Sequence, residues 1–196
     1  MSNSVNEILI IGLGLIGASI AKASKEKGII VHGYDIKKSV IKTAIEDNVI
    51  DQSIDSIEGL NNKSLIDKID LVIISVSPKA TQEIINQIPN LLNTKITITD
   101  TSSVKGHLKI SSISNFILSH PIAGSDMSGI ASLDQNLFEN KKMIICNPNN
   151  VEDVHLKKLT DFWKYAMQMR VSEMSVKEHD LLFAMTSHLP HLISYA

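Results

Sequence analysis

Ile8-Leu9-Ile10-Ile11-Gly12-Leu13-Gly14-Leu15-Ile16-Gly17 decides the reading of this chain. An apolar run leads straight into G-x-G-x-x-G. A run without polar alternation predicts a strand buried on both faces, as in a parallel sheet. Gly12 would make the tight turn, Gly14 would let a pyrophosphate approach the backbone, and Gly17 would let the next helix pack close to the strand. That helix opens with unspent N–H groups and the positive end of its dipole facing the loop. By itself the motif is weak, because an ordinary glycine-rich turn has the same spelling.

Its surroundings strengthen it. Ile16, Ile20 and Ala23 recur at helical spacing, Lys22, Lys25 and Lys27 fill the last turn, and Gly28 stands where a C-cap belongs. Ile29 to Tyr34 is a second apolar strand ending at Asp35, 18 positions beyond Gly17. An acid there suits a ribose 2′-hydroxyl and repels a 2′-phosphate, which favours NAD over NADP. Lys37 and Lys38, directly after it, are the residues that would favour NADP.

The alternation continues. Val40, Ile41, Ala44 and Ile45 form an apolar helical face that Asn48 can end. Gln52 to Ile54 reads as a short strand and Asn61-Asn62 as a turn. Leu71 to Val76 is a buried strand, Ser77-Pro78 opens a helix, and Ile96 to Asp100 is a further strand. Phe116 to Leu118, Lys142 to Cys146 and Met169 to Val171 complete the strands, with a helix between the last two built on Leu156, Leu159, Phe162, Trp163 and Ala166. Residues 1–172 are therefore expected to form a Rossmann-type, doubly wound, mostly parallel sheet. Ser175 and Glu178 have capping-box spacing and start another helix, which carries His179, His188 and His191. Residues 173–196 read as the start of an α-helical second domain, with the chain stopping inside it.

Charged residues make up 20% and the net charge is −2, so nothing points to nucleic acid or a membrane surface. One cysteine, Cys146, excludes an internal disulfide and reads as a buried thiol. The polar start of the chain is unlike a signal peptide and no run reaches membrane-spanning length, which predicts a cytoplasmic protein.

In doubly wound sheets ligands bind beyond the carboxyl ends of the strands. Those ends hold Gly12 to Gly17, Asp35, Ser75, Val76, Ser77, Thr101 to Ser103, and Ser119 to Ser125. The hydroxyls of Thr101, Ser102 and Ser103 suit a substrate or a nicotinamide ribose, and they equally suit the N-cap of a helix containing Val104 and Leu108. His120, at a strand end, has the right chemistry to take a hydroxyl proton as hydride leaves the same carbon. His188 and His191 share a helix face, but no H-E-x-x-H accompanies them and no metal is expected. Lys105 and Asp126 are surface charges by default and pocket charges otherwise.

Four motifs together resemble the prephenate dehydrogenase family, which includes arogenate dehydrogenases. They are Gly12 to Gly17, Asp100-Thr101-Ser102-Ser103-Val104-Lys105, His120-Pro121-Ile122-Ala123-Gly124-Ser125, and Ser187-His188-Leu189-Pro190-His191. The first is common to many dehydrogenases; the last three in this order are specific. The resemblance implies NAD-dependent oxidative decarboxylation of prephenate to 4-hydroxyphenylpyruvate, a step of tyrosine biosynthesis. It implies that His120 polarises or deprotonates the ring hydroxyl and that Ser103 bonds the same hydroxyl. It places His191 at the substrate with His188 and Ser125 beside it, and Asp126 where an acid gates the pocket. Family members form homodimers through a helical domain that also supplies an arginine for the substrate carboxylate; Arg170, the one arginine here, lies outside that pattern. Two other readings compete: a 3-hydroxyacid dehydrogenase, which leaves the histidine motifs unexplained, and a catalytically silent NAD-binding module.

Overall fold

The computed structural model describes residues 5–57, 60, 63–92, 94–125 and 127–188, with the backbone alone at 187–188. β1 (Glu7–Ile11) pairs in parallel with β2 (Ile30–Tyr34) on one side and β4 (Leu71–Ile74) on the other. β3 (Gln52–Ser53) closes one edge; β5 (Thr97–Asp100), β6 (Phe116–Ile122), β7 (Lys142–Cys146) and β8 (Arg170–Glu173) extend the other. The order is β3-β2-β1-β4-β5-β6-β7-β8, with only the β6–β7 pair antiparallel. The expected Rossmann-type sheet is therefore present. The strand order reverses between β1 and β4, the crevice where such folds bind ligands.

The apolar run of β1 is continuous because both of its faces are covered. Ile8 and Ile10 enter one core, with Ile20 and Ala21 of α1 (Leu15–Glu26) and Ala44 of α2 (Lys38–Glu46). Leu159 of α5 (Asp153–Asp161) joins the same core, as do Phe162 and Trp163 of the wider turn that continues α5. Leu9 and Ile11 enter the opposite core with Ile84 and Ile85 of α4 (Pro78–Gln87). A short helical turn, α3 (Lys63–Ile66), precedes β4. Cys146 is buried in this second core, where loss of solvation pushes its thiol up to about 11.

Local signals act as expected at several joints. Gly28 has φ +75°, closing α1. Ser77 caps α4 with Pro78 in its first turn. Ser175 and Glu178 make a full capping box at the start of α6 (Val176–Phe183). Two expectations fail. No regular helix forms around Val104 and Leu108; residues 101–115 run through turns. The backbone N–H groups of Lys105 and Gly106 are spent on Asp180 of α6, at 3.0 and 2.7 Å, rather than on helix bonds. The strand expected to end near Leu118 runs on to Ile122, because His120, Pro121 and Ile122 pair with Ile144, Met143 and Lys142. His120 thus stands inside a strand, though beyond the reach of β5, whose pairing stops at Ile117. Among the described residues no helix is long and apolar enough to cross a membrane.

Candidate functional site

The three motif glycines have different structural reasons. At Gly12, φ is +95° and a Cβ would lie 2.3 Å from the Ser75 carbonyl oxygen. At Gly17 a Cβ would lie 1.9 Å from the Gly12 carbonyl oxygen. Both are required by the protein's own packing. Gly14 is not: no protein atom lies within 4 Å of where its Cβ would be. It caps α1 and borders a cleft of about 420 Å³ at the sheet's reversal point.

Leu15, Ile16, Ser75, Val76, Thr101, Ser102, Ser103 and His120 line the same cleft. Thr101 Oγ1 donates to Ser75 Oγ at 3.1 Å across its floor. Asp35 stands at the tip of β2 and accepts the Leu13 N–H at 2.9 Å and the Lys37 N–H at 2.9 Å, which ties the acid to the glycine loop. Beside it is a second cavity of about 200 Å³, walled by Tyr34, Ile36, Ile57, Val76 and Ile84. This donor set fits a dinucleotide. The first-turn N–H groups of α1 have no carbonyl partner within the helix, an open glycine leaves room for phosphate, and an acid and an apolar slot stand where a ribose and a flat base would go.

The other side of the cleft is organised by buried charge. Asp100 and Lys105 form an ion pair of 2.7 Å with both side chains wholly buried. Burial pulls the Lys105 ammonium below the usual lysine range, and the Asp100 carboxylate opposes that pull. Lys105 Nζ also donates to the Ser119 carbonyl, while Asp100 accepts from the Ser119 N–H, the Ser102 N–H and the Ser102 hydroxyl. The pair therefore holds both peptide groups flanking Ser119, the residue before His120. A buried, hydrogen-bonded ion pair is costly to break from one side, about 3–5 kcal/mol. Trp163, expected in the core, is there, and its indole N–H reaches Ser119 Oγ at 3.3 Å.

His120 Nδ1 lies 2.9 Å from His179 Nε2, and His179 Nδ1 lies 2.8 Å from Asp180 Oδ1. The Phe183 ring packs edge-on against His120, with centroids 4.7 Å apart. His179 is fully buried; burial drives its pKa down, the hydrogen bond to Asp180 acts against that, and the Lys105 charge adds to the lowering. Burial alone would raise the Asp180 carboxyl, but hydrogen bonds from His179, Gly106 and Lys105 hold it below the usual carboxylate range.

The sequence-derived candidates divide accordingly. Gly14, Leu15, Ile16, Ser75, Val76, Thr101, Ser103 and His120 meet at one cleft. Leu13 turns its side chain into the core and contributes its N–H to Asp35. Ser77 is a helix cap whose hydroxyl accepts the Ala80 N–H at 3.5 Å; its neighbours Val76 and Pro78 line the cleft and Ser77 does not. Ser125 accepts the Met127 N–H at 3.1 Å in an exposed turn. Lys105 is the opposite of a surface charge, since Asp100 draws it inside. Asp126 and His191 lie outside the described residues, as does the side chain of His188 and the Asn61-Asn62 turn. His179 and Asp180 were not singled out by sequence: a histidine and an acid in the first turns of a capped helix look like solvent-facing residues. The one available signal was the strength of that cap, which fixes where α6 begins and hence which residues face β6. Among the described residues there is no cluster able to hold a metal.

The sequence profile of the prephenate dehydrogenase nucleotide-binding domain matches residues 20–171. The prephenate dehydrogenase of Lactococcus lactis is 32% identical over 97% of this chain and 52% of its own length. The cyclohexadienyl dehydrogenase of Zymomonas mobilis is 31% identical over 96% of this chain and 64% of its own. Both relatives are thus substantially longer, and this chain spans little more than half of the first. The crystal structure of A. aeolicus prephenate dehydrogenase with hydroxyphenyl propionate and NAD+ superposes with a TM-score of 0.89 at 32% identity, over 100% of this chain and 68% of that one. The profile covers most of the chain and the structural match covers all of it: the chain belongs to the prephenate dehydrogenase family, with residues 20–171 matching that family's nucleotide-binding domain.

Proposed function

We propose that this chain is the nucleotide-binding and catalytic part of an NAD-dependent prephenate dehydrogenase, working in the cytoplasm. The observation that carries this reading is the convergence of Gly14, Thr101, Ser103 and His120 on one cleft at the sheet's reversal point. On this reading the Gly12–Gly17 loop and the first turn of α1 hold the pyrophosphate, and Asp35 holds the adenosine ribose. Ser75, Val76 and Thr101 flank the nicotinamide end. NAD, when bound, supplies the hydride acceptor.

His120 takes the proton of the ring hydroxyl while hydride leaves the same carbon. Ser103 holds the hydroxyl oxygen. Loss of carbon dioxide leaves its bonding pair to the ring, which becomes aromatic, and the ring oxygen takes the proton back from His120 as the phenol forms. Substrate contacts from His188, His191, Ser125 and Asp126 belong to the proposal, with α6 as the first element of a helical second domain and of a homodimer contact.

A second reading, arogenate as substrate, is favoured by the cyclohexadienyl dehydrogenase relative, whose name specifies a ring class rather than one acid. The test is to incubate the purified chain with NAD and either prephenate or arogenate and to follow nicotinamide reduction, with NAD binding measured alongside. Reduction with one acid identifies the substrate. NAD binding without reduction by either acid would leave a silent nucleotide-binding module.

A further inference from the structure

His120, His179 and Asp180 form one line of contacts running from the cleft to the start of α6. Its polarity can be worked out from the outer end. Asp180 Oδ1 already accepts the Lys105 N–H at 3.0 Å, and Asp180 Oδ2 accepts the Gly106 N–H at 2.7 Å. A carboxylate held ionised by those donors offers only lone pairs, so the His179 nitrogen facing it, Nδ1, carries hydrogen. His179 is neutral, because burial and the nearby Lys105 ammonium both disfavour its charged form. A neutral imidazole with hydrogen on Nδ1 has its lone pair on Nε2. That lone pair is 2.9 Å from His120 Nδ1, which must then donate.

We propose that Asp180 and His179 are positioning residues that set the tautomer of His120, placing hydrogen on its Nδ1 and the proton-accepting lone pair on its Nε2. The proposal rests on the reading of His120 as the base, and it adds what makes that nitrogen basic. An isolated neutral imidazole prefers hydrogen on Nε2, the tautomer that cannot accept a proton there. Two contacts therefore convert a poor base into a competent one before any substrate arrives. When His120 becomes an imidazolium, its Nδ1–H faces the neutral His179 ring, and the Asp180 carboxylate one ring further on is the counter-charge. Among the described residues, the ionisable groups around His179 are Asp180 on its own helix, Lys105 and Asp100 on the loop side, and His120 on β6.

The orientation is supported from both ends. The Asp100–Lys105 pair grips the Ser119 peptide groups and so fixes the backbone entering His120. Asp180 docks α6 on the Lys105–Gly106 backbone, and the Phe183 ring covers both imidazoles at centroid distances of 4.7 Å. The sequence carries these parts in two segments separated by 59 positions between His120 and His179.

The test reads tautomers directly and does not depend on turnover. Ring nitrogen resonances of the 15N-histidine-labelled full chain, assigned with His120→Asn and His179→Leu, distinguish Nδ1–H from Nε2–H imidazole at neutral pH. Both His120 and His179 are expected as Nδ1–H in the parent protein. In His179→Leu, Asp180 keeps its bonds to Lys105 and Gly106, so α6 stays docked while His120 loses the acceptor that holds hydrogen on its Nδ1, and its Nδ1–H form is expected to give way. In Asp180→Ala no side-chain acceptor faces His179 Nδ1, and both rings are expected to lose their Nδ1–H form together. Where the chain turns over, Asp180→Ala should lower kcat by about 10²–10⁴-fold with KM changed far less, as removal of base function does. An Nε2–H His120 in the parent protein, or a His120 unchanged by both variants, would overturn the proposal. An Nδ1–H His120 in a chain that oxidises neither acid would uphold the relay and overturn the substrate reading instead.

Discussion

The clearest quantitative contrast concerns two glycines three positions apart. Gly17→Ala places a methyl 1.9 Å from the Gly12 carbonyl oxygen, whereas ordinary contacts begin above 3.0 Å. Both partners are backbone, so no rotamer relieves the clash and α1 must back away from β1. Its retreat is opposed by Ala18, Ile20 and Ala21, all fully buried. Overpacking of this kind costs up to about 3 kcal/mol, and exchanging glycine for alanine in a helix returns about 1 kcal/mol. The net loss of about 2 kcal/mol corresponds to a melting point lower by roughly 4–8 °C in a domain of this size.

In Gly14→Val the added Cβ meets none of the surrounding protein within 4 Å, and the backbone (φ −71°, ψ −166°) is open to any residue. Loss of a favoured N-cap residue costs about 1 kcal/mol, or roughly 2–4 °C. The same side chain fills the phosphate space. Thermal melts with and without NAD separate the two effects. At a hundredfold excess over Kd, NAD should stabilise the parent by about 2.7 kcal/mol, or roughly 5–11 °C. Gly14→Val should lose that increment and keep most of its ligand-free stability; Gly17→Ala should lose ligand-free stability first. A full NAD-induced shift in Gly14→Val would refute the assignment of this glycine to the nucleotide, and a parental melting point in Gly17→Ala would refute the packing argument.

Three further outcomes are expected. Titrating NAD and NADP against the parent should show clear preference for NAD, and Asp35→Asn should narrow the difference; equal affinities in the parent would transfer the role to Lys37 or Lys38. His120→Asn should cut the maximal rate by about 10²–10⁴-fold with NAD affinity nearly unchanged, and a near-parental rate would make His120 structural. The third concerns acid stability: His155 is buried against Thr97 Oγ1 at 2.8 Å, and burial lowers its pKa from the ordinary 6.5. A histidine lowered in the folded state is protonated first in the unfolded chain, so its stabilising share is complete above 6.5 and drains away as pH falls below it. Urea titrations in that range should show a shallower pH slope for His155→Asn than for the parent, and identical slopes would contradict the assignment.

The sheet was legible because its strands are buried on both faces, so their apolar runs need no partner to be recognised. Gly28, Ser77-Pro78 and the Ser175–Glu178 box were legible for a related reason: caps and turns are settled by neighbours in the chain. The cofactor loop and Asp35 follow from position along that same alternation. Other features depended on contacts that no local pattern encodes. A lysine in Asp100-Thr101-Ser102-Ser103-Val104-Lys105 looks solvent-facing until Asp100 is seen to hold it inside, and the backbone beyond it looks helical until Asp180 takes its N–H groups. His179 reads as one more polar residue on a helix. Only the docking of α6 against β6 brings its ring to His120, because a hydrogen bond fixes a proton by the geometry of two distant segments and leaves no periodicity in either.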